Sequence, residues 1–135
     1  MLQTTKTEIK PIRSQADIVY VRQAVRDWAL ALRFSIVEQT KIITAASELA
    51  RNTFEYGKGG DMRMEMVQDG MRQGLRLTFI DHGPGIPDLS LALTDGWTSG
   101  GGLGMGLTGA RRLVNDFDIQ SQPGEGTTVT ITKWK

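Results

Sequence analysis

The glycines of this chain constrain its fold more than any other feature of the sequence. The chain has 16 of them among 135 residues, concentrated between Gly57 and Gly126. Clustered glycine marks backbone that turns sharply or that approaches another group closely. One cluster, DHGPGIPD at residues 81–88, follows the apolar run GLRLTFI, and a second, SGGGLGMGLTG, comes at residues 99–109. The sequence therefore raises the question of whether the two clusters act on one ligand.

The composition limits the classes of protein that need to be considered. A length of 135 residues suits a single domain, residues 1–135, with its own core. The absence of cysteine excludes disulfides, thiolate zinc sites and a cysteine nucleophile. The net charge of +1 creates no overall field that would favour nucleic acid or an anionic membrane. No apolar run is long enough for a membrane span or a signal peptide, so we expect a cytoplasmic protein.

Two helices are predicted in the N-terminal half. Apolar residues recur at helical spacing after Ser14 and predict a helix that ends near Phe34. The motif SIVE at residues 35–38 is a capping box, in which a serine and a glutamate satisfy each other's backbone N–H groups. A second helix is therefore predicted from Ile36 to about Tyr56, with Gly57 as its C-terminal stop.

The remaining pattern is mostly strands. A first strand that stops at Pro11 is predicted for a sheet edge, and the dipeptide Asp69-Gly70 predicts a hairpin with a type I′ turn. A short helical turn is expected at residues 89–93, a third helix from about Gly106 to Asn115, and a final hairpin around PGEG. The order βααββαββ predicts an α+β fold, a two-layer sandwich with a mixed, mainly antiparallel sheet and helices on one face.

Glu48 and Asn52 lie four residues apart in the motif ELARN, hence on one face of the second helix. Alone, such a pair is most often a solvated surface pair. Its chemistry also suits a hard cation beside a proton acceptor, because an asparagine oxygen can ligate Mg²⁺ and a glutamate can accept a proton.

Asp81 ends an apolar run and begins the pattern Asp-x-Gly-x-Gly, which includes Gly83 and Gly85. One interpretation is a tight turn in which Asp81 accepts hydrogen bonds from local N–H groups. The other is a binding site in which Asp81 accepts from an exocyclic amine while the glycines let a flat ring approach the backbone. His82, the only histidine, has no second metal ligand in the sequence and is expected to be exposed or locally bonded.

The second cluster contains Gly104, Gly106 and Gly109, which fit the dinucleotide-binding pattern GxGxxG. That interpretation fails because the pattern must follow a strand, whereas a loop sequence precedes it here. Even so, the backbone N–H groups at the start of a helix, which glycine leaves accessible, are well placed to bind phosphate groups. The motif GEGTT at residues 124–128 predicts, by itself, only a hairpin turn.

In this order, the four motifs resemble the N, G1, G2 and G3 boxes of the GHKL family of ATP-binding domains. That family includes gyrase, Hsp90, histidine kinases and MutL and has the Bergerat ATP-binding fold. The stretches TAASELARNTFEYG, DHGPGIPD and GTTVTITKWK make the chain especially similar to the small stand-alone serine/threonine kinases and anti-sigma factors of bacterial partner switching, with the RsbT-type switch kinases of the stressosome as the closest group.

This resemblance implies a role for each matched residue. Glu48 would be the general base and Asn52 the Mg²⁺ ligand. Asp81 would accept from the adenine amine in a pocket shaped by Gly83 and Gly85. The other implied ATP-binding residues are Gly102, Leu103, Gly104, Met105 and Gly106, in a mobile lid over the phosphates, and Thr128 at the adenine side. Which glycine of the run 100–102 contacts phosphate stays open.

The resemblance also implies an activity. The chain would be an ATP-dependent serine/threonine protein kinase with ATP and Mg²⁺ as cofactors. It would phosphorylate a STAS-domain antagonist and, when released, bind and activate a PP2C-type phosphatase. The alternative is a nucleotide-switched anti-sigma factor that sequesters a partner. Histidine autophosphorylation is disfavoured because His82 lies inside the adenine turn. We expect a monomer or homodimer, with no nucleic-acid or membrane partner.

Overall fold

The computed structural model describes residues 1–86 and 103–135, with only the backbone for residues 103–106. Its elements are β1 (Leu2–Ile12), α1 (Gln15–Ala31), α2 (Ile36–Glu55), β2 (Gly60–Asp69), β3 (Arg72–Asp81), α3 (Leu103–Leu113), β4 (Asp116–Ser121) and β5 (Thr127–Trp134). The predicted order βααββαββ is confirmed. The helical turn expected at residues 89–93 lies outside the described residues.

The five strands form one sheet in the order β1-β2-β3-β5-β4. Every neighbouring pair within the described residues is antiparallel, so the sheet is not mixed. The strand β1 lies at an edge, as predicted, but its pairing continues past Pro11 to Ile12. An edge strand tolerates this proline because one side of the strand needs no ladder of hydrogen bonds.

The helices cover one face of the sheet and bury an apolar core against it. Aligned side chains cross three strands beneath α2, with Phe79 of β3 paired to Met62 of β2 and to Val129 of β5. The predicted apolar stripe of α1 is buried at Val21, Val25, Trp28 and Ala29. The two-layer α+β sandwich is therefore confirmed. No helix in the described part of the chain is long and apolar enough to cross a membrane.

The predicted capping box at the start of α2 is present. Glu38 N–H donates to Ser35 Oγ at 3.1 Å, and Ser35 N–H donates to Glu38 Oε1 at 3.2 Å. The end of α1 differs from the prediction, since the helix stops at Ala31 rather than near Phe34. Arg33 adopts a left-handed conformation with a φ of 61°, which a helix cannot continue through.

Two further element boundaries differ from the sequence predictions. Asp69 pairs with Arg72, so the turn residues are Gly70 and Met71. Only Gly70, with a φ of 62°, has a positive φ, which is the pattern of a type II′ turn and not of the predicted type I′ turn. The helix α3 begins at Leu103, three residues before the expected Gly106, and ends at Leu113, two residues before the expected Asn115.

Candidate nucleotide-binding site

A pocket opens between the C-terminal half of α2 and the sheet. The helix, the turn after β3, the beginning of α3 and the start of β5 all contribute to it. Its lining residues are Leu49, Asn52, Thr53, Tyr56, Gly57, Phe79, Asp81, Pro84, Gly85, Ile86, Leu107, Thr127 and Val129. Three residues singled out in the sequence, Asn52, Asp81 and Gly85, therefore meet here although they are far apart along the chain.

Asp81 is the half-buried acid of this pocket. Its Oδ1 accepts from Gly83 N–H at 3.0 Å and from Thr127 N–H at 3.2 Å. Burial raises the pKa of Asp81, and the two N–H donors and the nearby His82 offset part of that rise. Asp81 Oδ2 accepts no hydrogen bond from the described residues, so it is the oxygen left for an N–H group of a ligand. His82 is exposed, as expected.

Gly57 is a site residue whose role the sequence analysis missed. We interpreted it only as the stop of α2, whereas a Cβ on Gly57 would lie 2.3 Å from Asp81 Cγ. A Cβ on Gly83 would lie 2.7 Å from Gly57 Cα. The end of α2 and the Asp81 turn are therefore in contact, and only glycine fits between them. The two segments are separated by most of β2 and β3, so no local signal could have revealed this contact.

The loop between β4 and β5 supports the Asp81 turn from its other side. Gly124 N–H donates to Pro84 O at 2.7 Å. Gly85 has a φ of 76°, and a Cβ there would lie 2.1 Å from Gln122 O. A Cβ on Gly126 would lie 2.2 Å from Asp81 O. The two glycine turns are thus interlocked through their backbones.

Ser121 joins three parts of the site and was also missed. Its Oγ accepts from Ile86 N–H at 2.8 Å, donates to Gly126 O at 3.0 Å, and lies 2.8 Å from Thr127 Oγ1. One hydroxyl therefore fixes both the end of the Asp81 turn and the residue whose N–H group holds Asp81.

Thr128 does not line the pocket that the described residues form, and its expected role at the adenine side stays a prediction. Side chains alternate along β5, so Thr127 and Val129 line the pocket. Thr128 pairs with Gln120 and lines a separate surface depression on the opposite side of the hairpin. The residue of GEGTT that faces the pocket is therefore Thr127.

Asn52 presents an unpaired polar group to the pocket. Among the buried side-chain nitrogen and oxygen atoms of the described residues, Asn52 Nδ2 is the one that lacks a hydrogen-bond partner there. The oxygen and nitrogen of an amide can exchange places by a flip, so this position suits either a cation on oxygen or an acceptor on nitrogen. No cluster of three acidic or histidine ligands occurs in residues 1–86 or 103–135. Mg²⁺ fits such a site, because it commonly takes one or two protein oxygens and completes its shell with phosphates and water.

Glu48 lies at the rim and does not line the pocket formed by the described residues. It is one turn before Asn52, its side chain is 32% exposed, and it forms an ion pair with Arg51. The structure therefore places this carboxylate where a group on another protein could reach it.

The first turn of α3 contains Leu103, Gly104, Met105 and Gly106. Leu107, the next residue, is buried and lines the pocket, so this helix begins beside the site. The first N–H groups of a helix have no partners within it and attract anions. Contact of these residues with phosphate stays a prediction, and Gly102 lies outside the described residues.

Comparisons with known proteins agree with this geometry. The chain is 44% identical over 123 residues to the Bacillus subtilis protein Serine/threonine-protein kinase RsbT, covering 91% of this chain and 92% of that protein. It is 31% identical over 122 residues to the Anti-sigma F factor of Bacillus licheniformis, covering 84% and 82% of the two chains.

A solved structure of the RsbU and RsbW domains of a Mycobacterium tuberculosis protein shares the fold, with a TM-score of 0.68 and 23% identity. The match covers 97% of this chain and 33% of that one. The identity to the kinase extends over nearly the whole of both chains, and the chain is an enzyme of the serine/threonine-protein kinase class. Residues 37–135 match the family model, and the chain belongs to the family of histidine kinase-, DNA gyrase B- and HSP90-like ATPases.

Proposed function

We propose that the chain transfers the γ-phosphoryl group of ATP to a serine or threonine of a STAS-domain partner in the cytoplasm, with Mg²⁺ as the metal. Released from that partner, it binds and activates a PP2C-type phosphatase. The observation that carries the proposal is the pocket itself, which combines a half-buried acid and a buried amide nitrogen, and neither Asp81 Oδ2 nor Asn52 Nδ2 has a hydrogen-bond partner among the described residues. Both features are costly in an empty pocket and useful in a filled one.

In this proposal Asp81 selects adenine. Asp81 Oδ2 accepts from the exocyclic amine, while Phe79 and Val129 provide apolar surface for the flat ring. Guanine has a carbonyl oxygen at the corresponding edge, and two acceptors facing each other repel. Gly83 and Gly85 shape the pocket indirectly, because a Cβ at either position would clash with the backbone of Gly57 or of Gln122 and displace the turn that carries Asp81.

Asn52 and Glu48 serve the transfer itself. When bound, Mg²⁺ would neutralise charge on the phosphates and on the transferring group. Asn52 would offer its amide oxygen to that ion. Glu48, partly exposed at the rim, would accept the proton of the partner's hydroxyl. The N–H groups of the first turn of α3 would hold the phosphate oxygens.

A nucleotide-switched anti-sigma factor is the second candidate, because Anti-sigma F factors are among the relatives. Incubation with labelled ATP–Mg²⁺ and the STAS-domain proteins of the source organism decides between the two functions. Label on a serine or threonine supports the kinase. Tight, nucleotide-dependent binding without label favours the sequestering factor.

The variant Asp81→Asn is expected to bind ATP about 5- to 150-fold more weakly, which corresponds to about 1–3 kcal/mol for a mismatched buried hydrogen bond. Because burial raises the pKa of Asp81, the wild-type affinity should begin to fall at a higher pH than an ordinary aspartate would give. The sign follows from the carboxylate, which accepts from the amine only when ionised. Calorimetry from pH 4 to 8 measures both effects. Equal affinities at pH 7 would remove Asp81 from base recognition.

The variant Ser121→Ala is expected to weaken ATP binding about 5- to 50-fold, because the hydroxyl fixes both Ile86 and Thr127. The control is Thr130→Ala, which removes a hydroxyl from β5 at a contact with Thr78 away from the pocket. Calorimetry with ATP compares the variants. Equal losses in both variants would mean that a general weakening of the sheet, and not the site, is responsible.

A further inference from the structure

The helical hairpin α1–α2 carries most of the exposed apolar side chains in the described part of the chain. Five of the nine large hydrophobic residues that are strongly exposed lie on it: Val19, Tyr20, Leu30, Ile36 and Val37, at 54–80% exposure. The other four are Met1 before β1, Leu2 and Ile9 in β1, and Met71 at the tip of the β2–β3 hairpin. Of the five on the helical hairpin, Tyr20 lines a separate depression with Lys10 and Pro11 of β1, so Val19, Leu30, Ile36 and Val37 remain as candidates for one surface. Exposed apolar side chains concentrated on one surface mark an interaction site more often than isolated ones do.

Cations are interleaved with these apolar residues. Along α1, the positions Val19, Arg22, Arg26 and Leu30 follow one another at intervals of three and four residues, so they share one face. Arg33 follows directly after the helix, and the exposed residues of the first α2 turns come next. We define the basic docking face as Val19, Arg22, Arg26, Leu30, Arg33, Ile36, Val37 and Lys41.

The four cations of the basic docking face have no ion pair with any residue that the structure describes. The nearby acids are engaged elsewhere, since Asp27 accepts from Gln23 and Glu38 belongs to the capping box. The whole chain has a net charge of only +1, so this surface concentrates positive charge. An acidic surface is its electrostatic complement.

The same face leads to the candidate base. On α2, Val37, Lys41, Thr44 and Glu48 recur at intervals of four, three and four residues and form one stripe. Eleven residues of helix separate Val37 from Glu48, a distance of about 16 Å. A small protein domain that contacts Val37 can therefore also reach Glu48.

We propose that the basic docking face binds an acidic protein surface bearing aliphatic side chains, and that this partner is the protein whose hydroxyl reaches Glu48. The second half of the statement rests on the proposed kinase function. A second copy of the chain is disfavoured as the occupant, because a two-fold contact would bring four cations against four. A membrane is disfavoured because the exposed aliphatic residues alternate with arginines and do not form the wide apolar face of a membrane-surface helix.

The first experiment places a photo-cross-linking amino acid at Leu30 of the full chain in its source cells, with Met71, 99% exposed at the hairpin tip, as the matched control. We expect an adduct at Leu30, and not at Met71, with a protein whose cross-linked surface, located by mass spectrometry, is acidic and bears aliphatic side chains. Adducts with a second copy, adducts with lipid, equal adducts at both positions or no adduct at Leu30 would overturn the proposal.

The second experiment measures the affinity of that purified partner for variants of the chain. The double variant R22E/R26E is expected to bind the partner at least about 30-fold more weakly than the wild type does. The double variant R22Q/R26Q is expected to lose less affinity, because charge reversal adds repulsion to the lost attraction. The control double variant M71S/K135E should bind as wild type. Undiminished binding of R22E/R26E, with wild-type ATP affinity as the check on folding, would overturn the proposal.

Phosphorylation of the partner separates this proposal from the kinase function. If R22E/R26E phosphorylates the partner with unchanged KM, the docking face fails and the kinase function stands. If the partner binds through the basic docking face but the wild type never phosphorylates it, the proposed kinase function is wrong. The proposal that this face binds an acidic protein surface is then still supported.

Discussion

Replacing Glu48 with glutamine is expected to lower phosphotransfer to the partner protein by about 10²- to 10⁴-fold while nucleotide affinity changes little. Glutamine keeps the size and one oxygen but cannot accept the proton. The rim position of Glu48 supports the second half of this expectation, because the side chain does not line the nucleotide pocket. Single-turnover transfer and calorimetry with ATP measure the two quantities separately.

Two variants serve as controls for Glu48→Gln. Arg51→Gln breaks the same ion pair but leaves the carboxylate, and an exposed pair of this kind contributes at most about 1 kcal/mol. Glu55→Gln removes another exposed acid two turns further along α2. Both should transfer phosphate at nearly the wild-type rate. A Glu48→Gln enzyme as fast as these controls would show that Glu48 is not the base.

The variant Gly57→Ala is expected to lower ATP affinity by about 100-fold or more, corresponding to about 3 kcal/mol. The new Cβ would lie 2.3 Å from Asp81 Cγ and 2.4 Å from Asp81 Cβ. Rotation of the Asp81 carboxylate cannot relieve the clash between the new Cβ of residue 57 and the Cβ of Asp81, so the whole turn must move. Asp81 then loses its alignment with both Thr127 and the ligand.

The control for Gly57→Ala is Gly109→Ala in α3, where a new Cβ meets none of the described residues within 4 Å. That variant should keep its ATP affinity and gain up to about 1 kcal/mol of stability from the better helix propensity of alanine. Calorimetry and thermal unfolding compare the two. Wild-type affinity in Gly57→Ala would mean that the contact between α2 and the Asp81 turn does not position the ligand.

The sequence predicted those features whose causes are local. The capping box at Ser35 and Glu38 follows from side chains three residues apart, and the stripe of α1 follows from the helical period. Asp81, Gly83 and Asn52 could be singled out because their motifs are short. The resemblance to a known family then brought these separate motifs into one site.

The features that the sequence did not predict depend on distant contacts. To predict that Thr127 and not Thr128 lines the pocket, one needs the register of β5 against β3. This register decides the face of the sheet to which each threonine side chain points. The role of Gly57 requires α2 to meet the Asp81 turn. Ser121 is an ordinary serine in a strand, and only the folded chain brings its hydroxyl to Ile86 and Thr127.

The interlocked glycine turns have a consequence for the timing of activity during synthesis. Asp81 accepts a hydrogen bond from Thr127, and Pro84 accepts one from Gly124, so the pocket is built from segments about 40 residues apart along the chain. Domains begin to fold on the ribosome from the N-terminal side. A nascent chain whose residues after β3 have not yet emerged from the exit tunnel has α2 and β3 available but lacks the hairpin that completes the pocket. We therefore expect the pocket to form, and ATP affinity to appear, only once the β4–β5 hairpin has emerged.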